Sequence, residues 1–332
     1  MQCPSCVAEI PDDDLFCESC GSRVQAEAEA VPEPEGECPC FTGPSELDEE
    51  GYCLRCGRRV TRPAEDHMES ELSADLAAVS DRGLHHHSNE DRFAIGVADG
   101  WRLLVVCDGV SSSPEADKAA AQAAQAALTA MQTDLANGLD AIGVVKNSVK
   151  AASAAVAVLG LDRREAPSTT IVSAAASEEK IAIAWIGDSR AYWIAEGQTH
   201  QLTTDHSWLN MVLEQGEMER AEAQRSRNAH ALTRWLGLDS DPEDPDTVLH
   251  ERKGDGVLLL CSDGLWNYAD SEPTMNDLLR QSAEAGDTAL EMARHLVEYA
   301  IAEGGRDNIT AIVARRRSEG APSEPPEETN EQ

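Results

Sequence analysis

The chain has 332 residues, 41% of them hydrophobic, which is enough for one sizeable core with small appendages. Acidic residues outnumber basic ones by 61 to 27, giving a net charge of −34, and this balance argues against nucleic acid and anionic membranes as partners. Because the sequence has neither a run of about 18 apolar residues nor a basic-then-apolar leader, we expect a cytoplasmic protein without a membrane span.

The N-terminal region is rich in cysteine, with eight of the ten cysteines inside the first 56 residues. Clustered CxxC pairs in a cytoplasmic chain favour Zn²⁺, since two pairs complete a tetrahedron of thiolates. The first predicted zinc-ribbon-like segment, 1–23, uses Cys3, Cys6, Cys17 and Cys20. The second, 38–60, has a CxC in place of one CxxC and uses Cys38, Cys40, Cys53 and Cys56. For both sets the alternative is a reduced cysteine-rich tail without metal.

Composition also predicts the linkers and the boundaries of the main domain. Residues 24–37 read as an acidic Ala/Pro linker, and 61–76 as a polar connector with some helical character. Residues 317–332 have the composition of a disordered acidic tail. The remaining body, 77–316, is the predicted main domain.

The body alternates strand-like and helix-like segments. Strands are predicted at 91–98, 102–109, 169–177, 179–189, 190–197, 256–266 and 308–316. Helices are predicted at 114–136, 139–160, 205–216, 275–286 and 289–305, with Asp205 or Ser207 as the N-cap of the third. This order predicts an α+β fold with mostly antiparallel pairing rather than a βαβ repeat. Cys107 and Cys261, inside apolar runs, are expected to be buried structural thiols.

Four acidic motifs stand at strand ends or in adjacent turns, namely NED (89–91), CDG (107–109), SDG (262–264) and RDN (306–308). A lone Asp-Gly is usually only a turn, so each motif by itself is weak. Carboxylates from such distant parts of the chain would repel one another if they converged without a cation. Their convergence would therefore imply hard divalent metals, which prefer oxygen ligands.

The acidic motifs lie within longer segments that follow one another over residues 78–314: SDRGLHHHSNED, VVCDGVSSS, PSTT, WIGDSRAYW, LTTDHS, ALTRWLG, LLCSDGLW and GGRDNITAIV. In this order they resemble the metal-dependent serine/threonine protein phosphatases of the 2C type, in a bacterial variety. The resemblance implies a β-sandwich of two antiparallel sheets flanked by helices on both faces (α/β/β/α). It also implies hydrolysis of phosphoserine and phosphothreonine in proteins by a water that bridges two Mn²⁺ or Mg²⁺ ions.

The resemblance assigns roles to individual residues. Asp108 matches the carboxylate that bridges both metals, and the Gly109 carbonyl matches a ligand of one of them. Glu90, Asp263 and Asp307 match the other acidic ligands. Asp91 is expected to lie behind the ligands and Asn308 to orient Asp307. Asp188 and Arg190 are expected to be structural residues of a strand turn, held by local hydrogen bonds rather than bound to metal. Some bacterial relatives hold a third, weaker ion beside a motif that is Ser168-Thr169-Thr170 here, where Glu165 or Asp162 could serve.

Two positions depart from the family pattern. Val110 stands where relatives often carry a histidine proposed as general acid, and His86 stands where they often carry a phosphate-binding arginine. We therefore predict that His86 faces the phosphate, whereas His85 and His87 belong to a solvated loop. The partners implied are phosphorylated proteins of Ser/Thr kinase signalling. The alternative to an enzyme is a catalytically silent phosphatase-fold scaffold that binds phosphoproteins.

Overall fold

The computed structural model describes residues 53–55, 64–161, 163–238, 240, 244–252 and 254–317. The chain divides into two compact units, residues 1–61 and 62–332. Of the eight cysteines predicted to bind zinc, Cys53 alone falls within the described residues, where it is buried. The linker 24–37, the segment 1–23 and residues 318–332 lie outside them.

The described part of the second unit forms eleven β-strands and seven α-helices after a short 3₁₀ turn at Ala64–Asp66. The strands are β1 His67–Ser73, β2 Leu76–Asp81, β3 Arg92–Ala98, β4 Trp101–Cys107, β5 Ile171–Ala176, β6 Lys180–Ile186, β7 Arg190–Ala195, β8 Gln198–Gln201, β9 Asp246–Glu251, β10 Gly256–Cys261 and β11 Ile309–Arg316. The helices are α1 Ala116–Ala136, α2 Ala141–Gly160, α3 Trp208–Glu214, α4 Arg220–Ala223, α5 Asp263–Trp266, α6 Glu272–Ala285 and α7 Ala289–Ala302.

The strands form two sheets. Within each sheet, every recorded pair of neighbouring strands is antiparallel. The six-stranded sheet has the order β1-β2-β11-β10-β7-β8, and the five-stranded sheet has the order β3-β4-β5-β6-β9. The sheets pack face to face, α1 and α2 cover the five-stranded sheet, and α6 and α7 cover the six-stranded sheet. The antiparallel sandwich flanked by helices that the resemblance implied is therefore confirmed.

Side-chain alternation along the strands separates three hydrophobic layers. In β4, Leu103 and Val105 pack against α1 and α2, whereas Leu104 and Val106 face the other sheet. In β10 the two faces alternate in the same way between the α6–α7 side and the inter-sheet layer. Because both faces of the central strands are buried, these strands are continuous apolar runs in the sequence. Cys107 and Cys261 are fully buried, as predicted, and burial raises the pKa of both thiols.

The prediction of a connector with helical character at 61–76 is wrong, because residues 67–73 form strand β1. This strand pairs along its length with β2 at the edge of the six-stranded sheet. Most of its side chains are exposed, so it lacks the apolar alternation by which a strand is recognised. The folded domain thus begins about ten residues before the predicted boundary at 77. Strand β2, and strands β8 and β9 at two further sheet edges, were also not predicted.

Among the described residues, α2 is the one helix whose length and hydropathy would suit a membrane span. Its apolar face, which includes Val144, Val149 and Val156, packs into the layer between the helices and the five-stranded sheet. Buried core helices meet the same criteria of length and hydropathy.

Candidate active site

The acidic motifs come together because the strands that carry them end or begin at the same end of the sandwich. In the five-stranded sheet, Arg92 at the start of β3 lies opposite Cys107 at the end of β4. In the six-stranded sheet, Cys261 at the end of β10 lies opposite Ala311 near the start of β11. The residues just outside these positions include Glu90, Asp91, Asp108, Asp263 and Asp307.

The charges of these carboxylates act on one another inside the protein. Burial, followed by repulsion from Asp91, Asp263, Asp188 and Asp307, raises the pKa of Asp108 well above its ordinary value. The pKa of Asp263 is raised well above its ordinary value by burial and by the charges of Asp188, Asp307 and Asp91. An aspartate that stays ionised in such surroundings needs a compensating positive charge. The site therefore has the electrostatic character expected of a cation-binding centre.

Hydrogen bonds with Thr169 and Thr170 hold the backbone of Asp108 at the acidic end of the sandwich. The Thr169 hydroxyl donates to the Asp108 carbonyl at 2.8 Å, and the Thr170 amide donates to the same oxygen at 2.7 Å. The Asp108 amide in turn donates to the Thr170 hydroxyl at 3.3 Å. The Ser168-Thr169-Thr170 motif thus fixes the turn after β4.

Glycines in the two Asp-Gly motifs allow close packing at this end of the fold. A Cβ on Gly109 would lie 2.8 Å from the Ala116 carbonyl oxygen at the start of α1. A Cβ on Gly264 would lie only 2.0 Å from the Asn308 carbonyl oxygen. Gly264 therefore lets α5, which begins at Asp263, lie against the segment that carries Asp307 and Asn308.

Asn308 links its own segment to two others at the acidic end of the sandwich, the one that carries Glu90 and the one after β2. Its side-chain oxygen accepts from the Glu90 amide at 2.8 Å, and its side-chain nitrogen donates to the carbonyls of Arg82 and Ser88 at 2.8 and 3.1 Å. Its own amide donates to Asp307 Oδ1 at 2.8 Å. Asn308 therefore positions Glu90 and Asp307 together.

Asp91 is buried at the acidic end of the sandwich and joins the two sheets. Its Oδ2 accepts from the Ser262 hydroxyl at 2.6 Å and from the Thr310 hydroxyl at 2.8 Å. The residue is 1% exposed, and burial is the main cause that raises its pKa to about 7. These contacts agree with a supporting role for Asp91, while the neighbouring Glu90 accepts from the Ser111 hydroxyl at 2.5 Å.

The histidine loop places one member beside the acidic cluster. His86 Nε2 lies 3.2 Å from Asp307 Oδ1, and the His86 carbonyl accepts from the Arg82 guanidinium. Arg82 is held by Asp66, with Nε 3.3 Å from Oδ2. His85 and His87 are exposed, whereas His86 is half-buried. His86 thus reaches the acidic cluster.

Asp188 is more closely tied to the cluster than its sequence context indicated. It is 7% exposed, and burial, followed by repulsion from Asp205, raises its pKa to about 7. Its charge also acts on Asp108 and Asp263. The signal that could have revealed it is its position directly after β6, at the same end of the sandwich as the other acids.

Arg190 and Asp205 form a buried ion pair beside the cluster. Arg190 donates to Asp205 through Nε at 2.9 Å and Nη2 at 2.7 Å, and its guanidinium lies 3.6 Å from the ring centre of Trp266 in α5. The predicted structural role of Arg190 agrees with these contacts. Asp205 does not cap the following helix: the N-cap of α3 is Ser207, whose side chain accepts from the Asn210 amide.

A cavity of about 780 Å³ opens next to the acidic end. It includes Val110 and Ser113 after the first Asp-Gly motif, Arg163 and Arg164 after α2, and Trp235. Glu165 also lines it, whereas Asp162 lies outside the described residues. The cavity is large enough for part of a peptide substrate beside the carboxylates.

The oxygen atoms at the acidic end are of the type that hard metal ions bind. Carboxylate and carbonyl oxygens are the ligands that Mg²⁺ and Mn²⁺ prefer. Among the residues that the structure describes, no three His, Cys, Asp or Glu side chains are already gathered closely enough to hold one ion by themselves. The charges of Asp108, Asp263 and Asp307 nevertheless act on one another at this end of the sandwich.

Comparisons with known proteins agree with this arrangement. The Protein phosphatase 2C profile matches residues 66–309. "Serine/threonine protein phosphatase PstP" of Mycobacterium tuberculosis is 32% identical over 244 residues, which cover 72% of this chain and 44% of that protein. "Serine/threonine phosphatase stp" of Listeria welshimeri is 30% identical over 248 residues, which cover 71% of this chain and 94% of that protein.

A solved structure shows the same fold. The crystal structure of the catalytic domain of PstP in complex with two manganese ions aligns with a TM-score of 0.59 at 28% identity, covering 72% of this chain and 96% of that one. The present chain spans less than half the length of the mycobacterial relative and nearly all of the Listeria relative. From the sandwich, its acidic end and these matches, the chain belongs to the protein phosphatase 2C family, in its bacterial PstP and stp branch.

Proposed function

We propose that the chain is a metal-dependent protein-serine/threonine phosphatase. The observation that carries the proposal is the meeting of Asp108, Asp263 and Asp307 at one end of the sandwich, where their charges act on one another. A buried anionic cluster of this kind, beside a cavity of peptide size, suits cations and a phosphorylated side chain. The relatives bearing serine/threonine phosphatase names support the same activity.

We propose two Mn²⁺ or Mg²⁺ ions as the cofactors. Glu90, Asp108, the Gly109 carbonyl, Asp263 and Asp307 would hold them, with Asp108 shared by both. When bound, such ions supply hydroxide from water at neutral pH and offset the charge of the phosphoryl oxygens. The relative solved with two manganese ions supports this number.

The chain's own residues would position the substrate and the ligands. Asn308 and Thr170 hold the segments that carry Asp307 and Asp108, so that these carboxylates are oriented before substrate arrives. His86, 3.2 Å from Asp307, is proposed to face the phosphate and to donate a proton toward it. Val110 has no ionisable group, and it therefore cannot protonate the leaving alkoxide.

A separate proposal concerns the N-terminal region and the domain limits. We propose zinc-ribbon-like segments at 1–23 and 38–60, joined by the linker 24–37, as modules for regulation or docking. Their support is the Cys spacing in the sequence. The catalytic domain would then extend from about residue 66 to 316, and 317–332 would be an acidic tail.

The substrates we propose are phosphorylated cytoplasmic proteins of Ser/Thr kinase signalling. The net charge of −34 disfavours nucleic acid and anionic membranes as partners. Within this acidic chain, Arg164 in the cavity wall is the group expected to attract the phosphorylated segment, because the neighbouring Arg163 is already paired with Glu115.

Hydrolysis of a phosphothreonine peptide by the full chain tests this proposal. With Mn²⁺ present we expect steady phosphate release, abolished by chelation and reduced about 100-fold or more in Asp108→Asn. Asp244→Asn, on the surface, is the matched control and should retain full activity. A silent scaffold would instead bind the peptide without releasing phosphate under any divalent metal, and that result would refute the enzymatic proposal.

A further inference from the structure

The end of the sandwich opposite the acidic cluster holds three inward-facing arginines. Arg102 shares its strand face with Leu104 and Val106, which belong to the inter-sheet layer. Arg316 likewise shares its face with Ile312 and Ala314 of that layer. Arg252 directly follows β9, and its guanidinium lies 4.8 Å from the ring centre of Trp193 between the sheets. We call these three residues the arginine cluster.

The side chains of the arginine cluster link the two sheets by donating hydrogen bonds to backbone carbonyl oxygens. Arg102 of the five-stranded sheet donates to the carbonyl of Arg315 in the six-stranded sheet. In the reverse direction, Arg316 donates through Nε to the Glu178 carbonyl at 2.9 Å, and also to the carbonyl of Gly254. Arg252 Nη1 donates to the Ser177 carbonyl at 2.7 Å. Carbonyl partners hold the guanidinium groups in place without neutralising them.

Arg252 is the member whose hydrogen bonding is incomplete. It is 6% exposed, and its Nε and Nη2 atoms are buried without a hydrogen-bond partner among the described residues. These two nitrogens form the edge of a guanidinium that takes a carboxylate or phosphate in a bidentate manner. A buried arginine with this edge unpaired is unfavourable unless an anion completes it.

The charges around Arg252 are also unbalanced. After burial, repulsion from Arg102 and Arg316 lowers the pKa of Arg252 to about 10, opposed by the charge of Glu178. Glu178 is two-thirds exposed and lies 3.4 Å from Arg316 Nε, so solvent and Arg316 already take up much of its charge. A concentration of positive charge is thus kept at this end of a chain whose net charge is −34.

We propose that the arginine cluster is a binding site for one oxyanion, held in a bidentate manner by the Nε–Nη2 edge of Arg252 and shared with Arg102 and Arg316. The ligand chemistry is that of a phosphate or carboxylate group. Two sources can supply it. One is free inorganic phosphate, and the other is a glutamate carboxylate from residues 318–332, which follow Arg317 and contain five glutamates and no basic residue.

Thermal unfolding of the full chain with Mg²⁺ present tests the site, with inorganic phosphate as the probe and chloride at matched ionic strength as reference. A ligand at ten times its Kd should raise Tm by about 3 °C. The Arg102→Gln and Arg316→Gln variants should weaken the apparent phosphate affinity about tenfold or more. The measured quantity is the rise in Tm that phosphate causes, called the increment below. A variant whose Tm without phosphate differs from that of the wild type can therefore still be compared with it.

Arg280→Gln, an exposed arginine on α6, is the matched control and should keep the full increment. Phosphate bound at the acidic end would contribute equally to all these proteins. A second full-length protein, with the five glutamates of 318–332 changed to glutamine, separates the two sources. Equal increments in both proteins identify free phosphate, and an increment confined to the glutamine protein identifies the chain's own carboxylate. An increment that is absent from both proteins, matched by chloride, or insensitive to Arg102 and Arg316 overturns the proposal.

Discussion

Loss of the Asp205 carboxylate should destabilise the domain strongly, because it leaves Arg190 charged and unpaired inside the protein. Both partners are 9% exposed, and the pair makes two hydrogen bonds, at 2.9 and 2.7 Å. Hydrogen bonds to charged groups contribute about 1.5–3 kcal/mol each. Removal of one partner of a buried pair typically costs about 3–5 kcal/mol. The two estimates agree for Asp205→Ala.

The assay is chemical denaturation followed by tryptophan fluorescence, with the free energy of unfolding extrapolated to water. Asp205→Asn, which keeps one acceptor oxygen, should fall between the wild type and Asp205→Ala. Asp244→Ala is the control, since this exposed aspartate pairs with Lys146 and Lys150 on the surface and its loss should not be resolvable. A loss below about 1 kcal/mol for Asp205→Ala would refute the view that this pair holds β7 and the loop before α3 together.

Three further predictions concern the site and its frame. Gly264→Ala should cost about 1–3 kcal/mol of stability and reduce phosphatase activity, because its Cβ would meet the Asn308 backbone at 2.0 Å. In Gly143→Ala the new Cβ meets only the Leu139 side chain, so this control should be tolerated. His86→Ala should lower kcat for a phosphopeptide with the Tm unchanged, and near-normal turnover would refute its phosphate-facing role. The pKa of Glu69 is lowered to about 2, chiefly by its hydrogen bond from Arg294, so its stabilising effect is present above pH 4.5 and lost as the pH falls toward 2. The difference in unfolding free energy between the wild type and Glu69→Gln should therefore shrink from pH 5 to pH 2, and a constant difference would contradict this linkage.

The parts of the fold that could be predicted are those whose burial is visible in the local sequence as a run of apolar residues. The apolar runs before Asp108 and Asp263 predicted β4 and β10, because strands buried on both faces contain little else. The polar strand β1 could not be recognised, since its side chains are mostly exposed and its strand character comes from pairing with β2. Secondary structure at such an edge is decided by the neighbouring strand.

The site was predictable to the extent that its acids stand at strand ends. Glu90, Asp108, Asp263 and Asp307 were predicted to lie together, and the structure places them at one end of the sandwich. The metal-binding roles of these residues remain predictions. The involvement of Asp188 was not recognised, because GDSR suggests a local turn and its interaction with Asp108 arises only from the assembled sheets.

The arginine cluster had no sequence signal at all. Arg102 and Arg252 are 150 positions apart, and no motif connects them with Arg316. The three residues come together because the register of β4, β9 and β11 places these strand ends at the end of the sandwich opposite the acidic cluster. Sites of this kind can be found only once the pairing of strands is known.

Counting the Mn²⁺ ions bound by the full chain is the most direct test of the central claim, that the acidic end of the sandwich is a two-metal phosphatase centre. Electron paramagnetic resonance of free Mn²⁺ during a titration gives this number. We expect about two ions per wild-type chain, and loss of at least one of them in Asp108→Asn, because this carboxylate is proposed to be shared by both. Equal numbers of ions bound with equal affinity by both proteins would contradict the account.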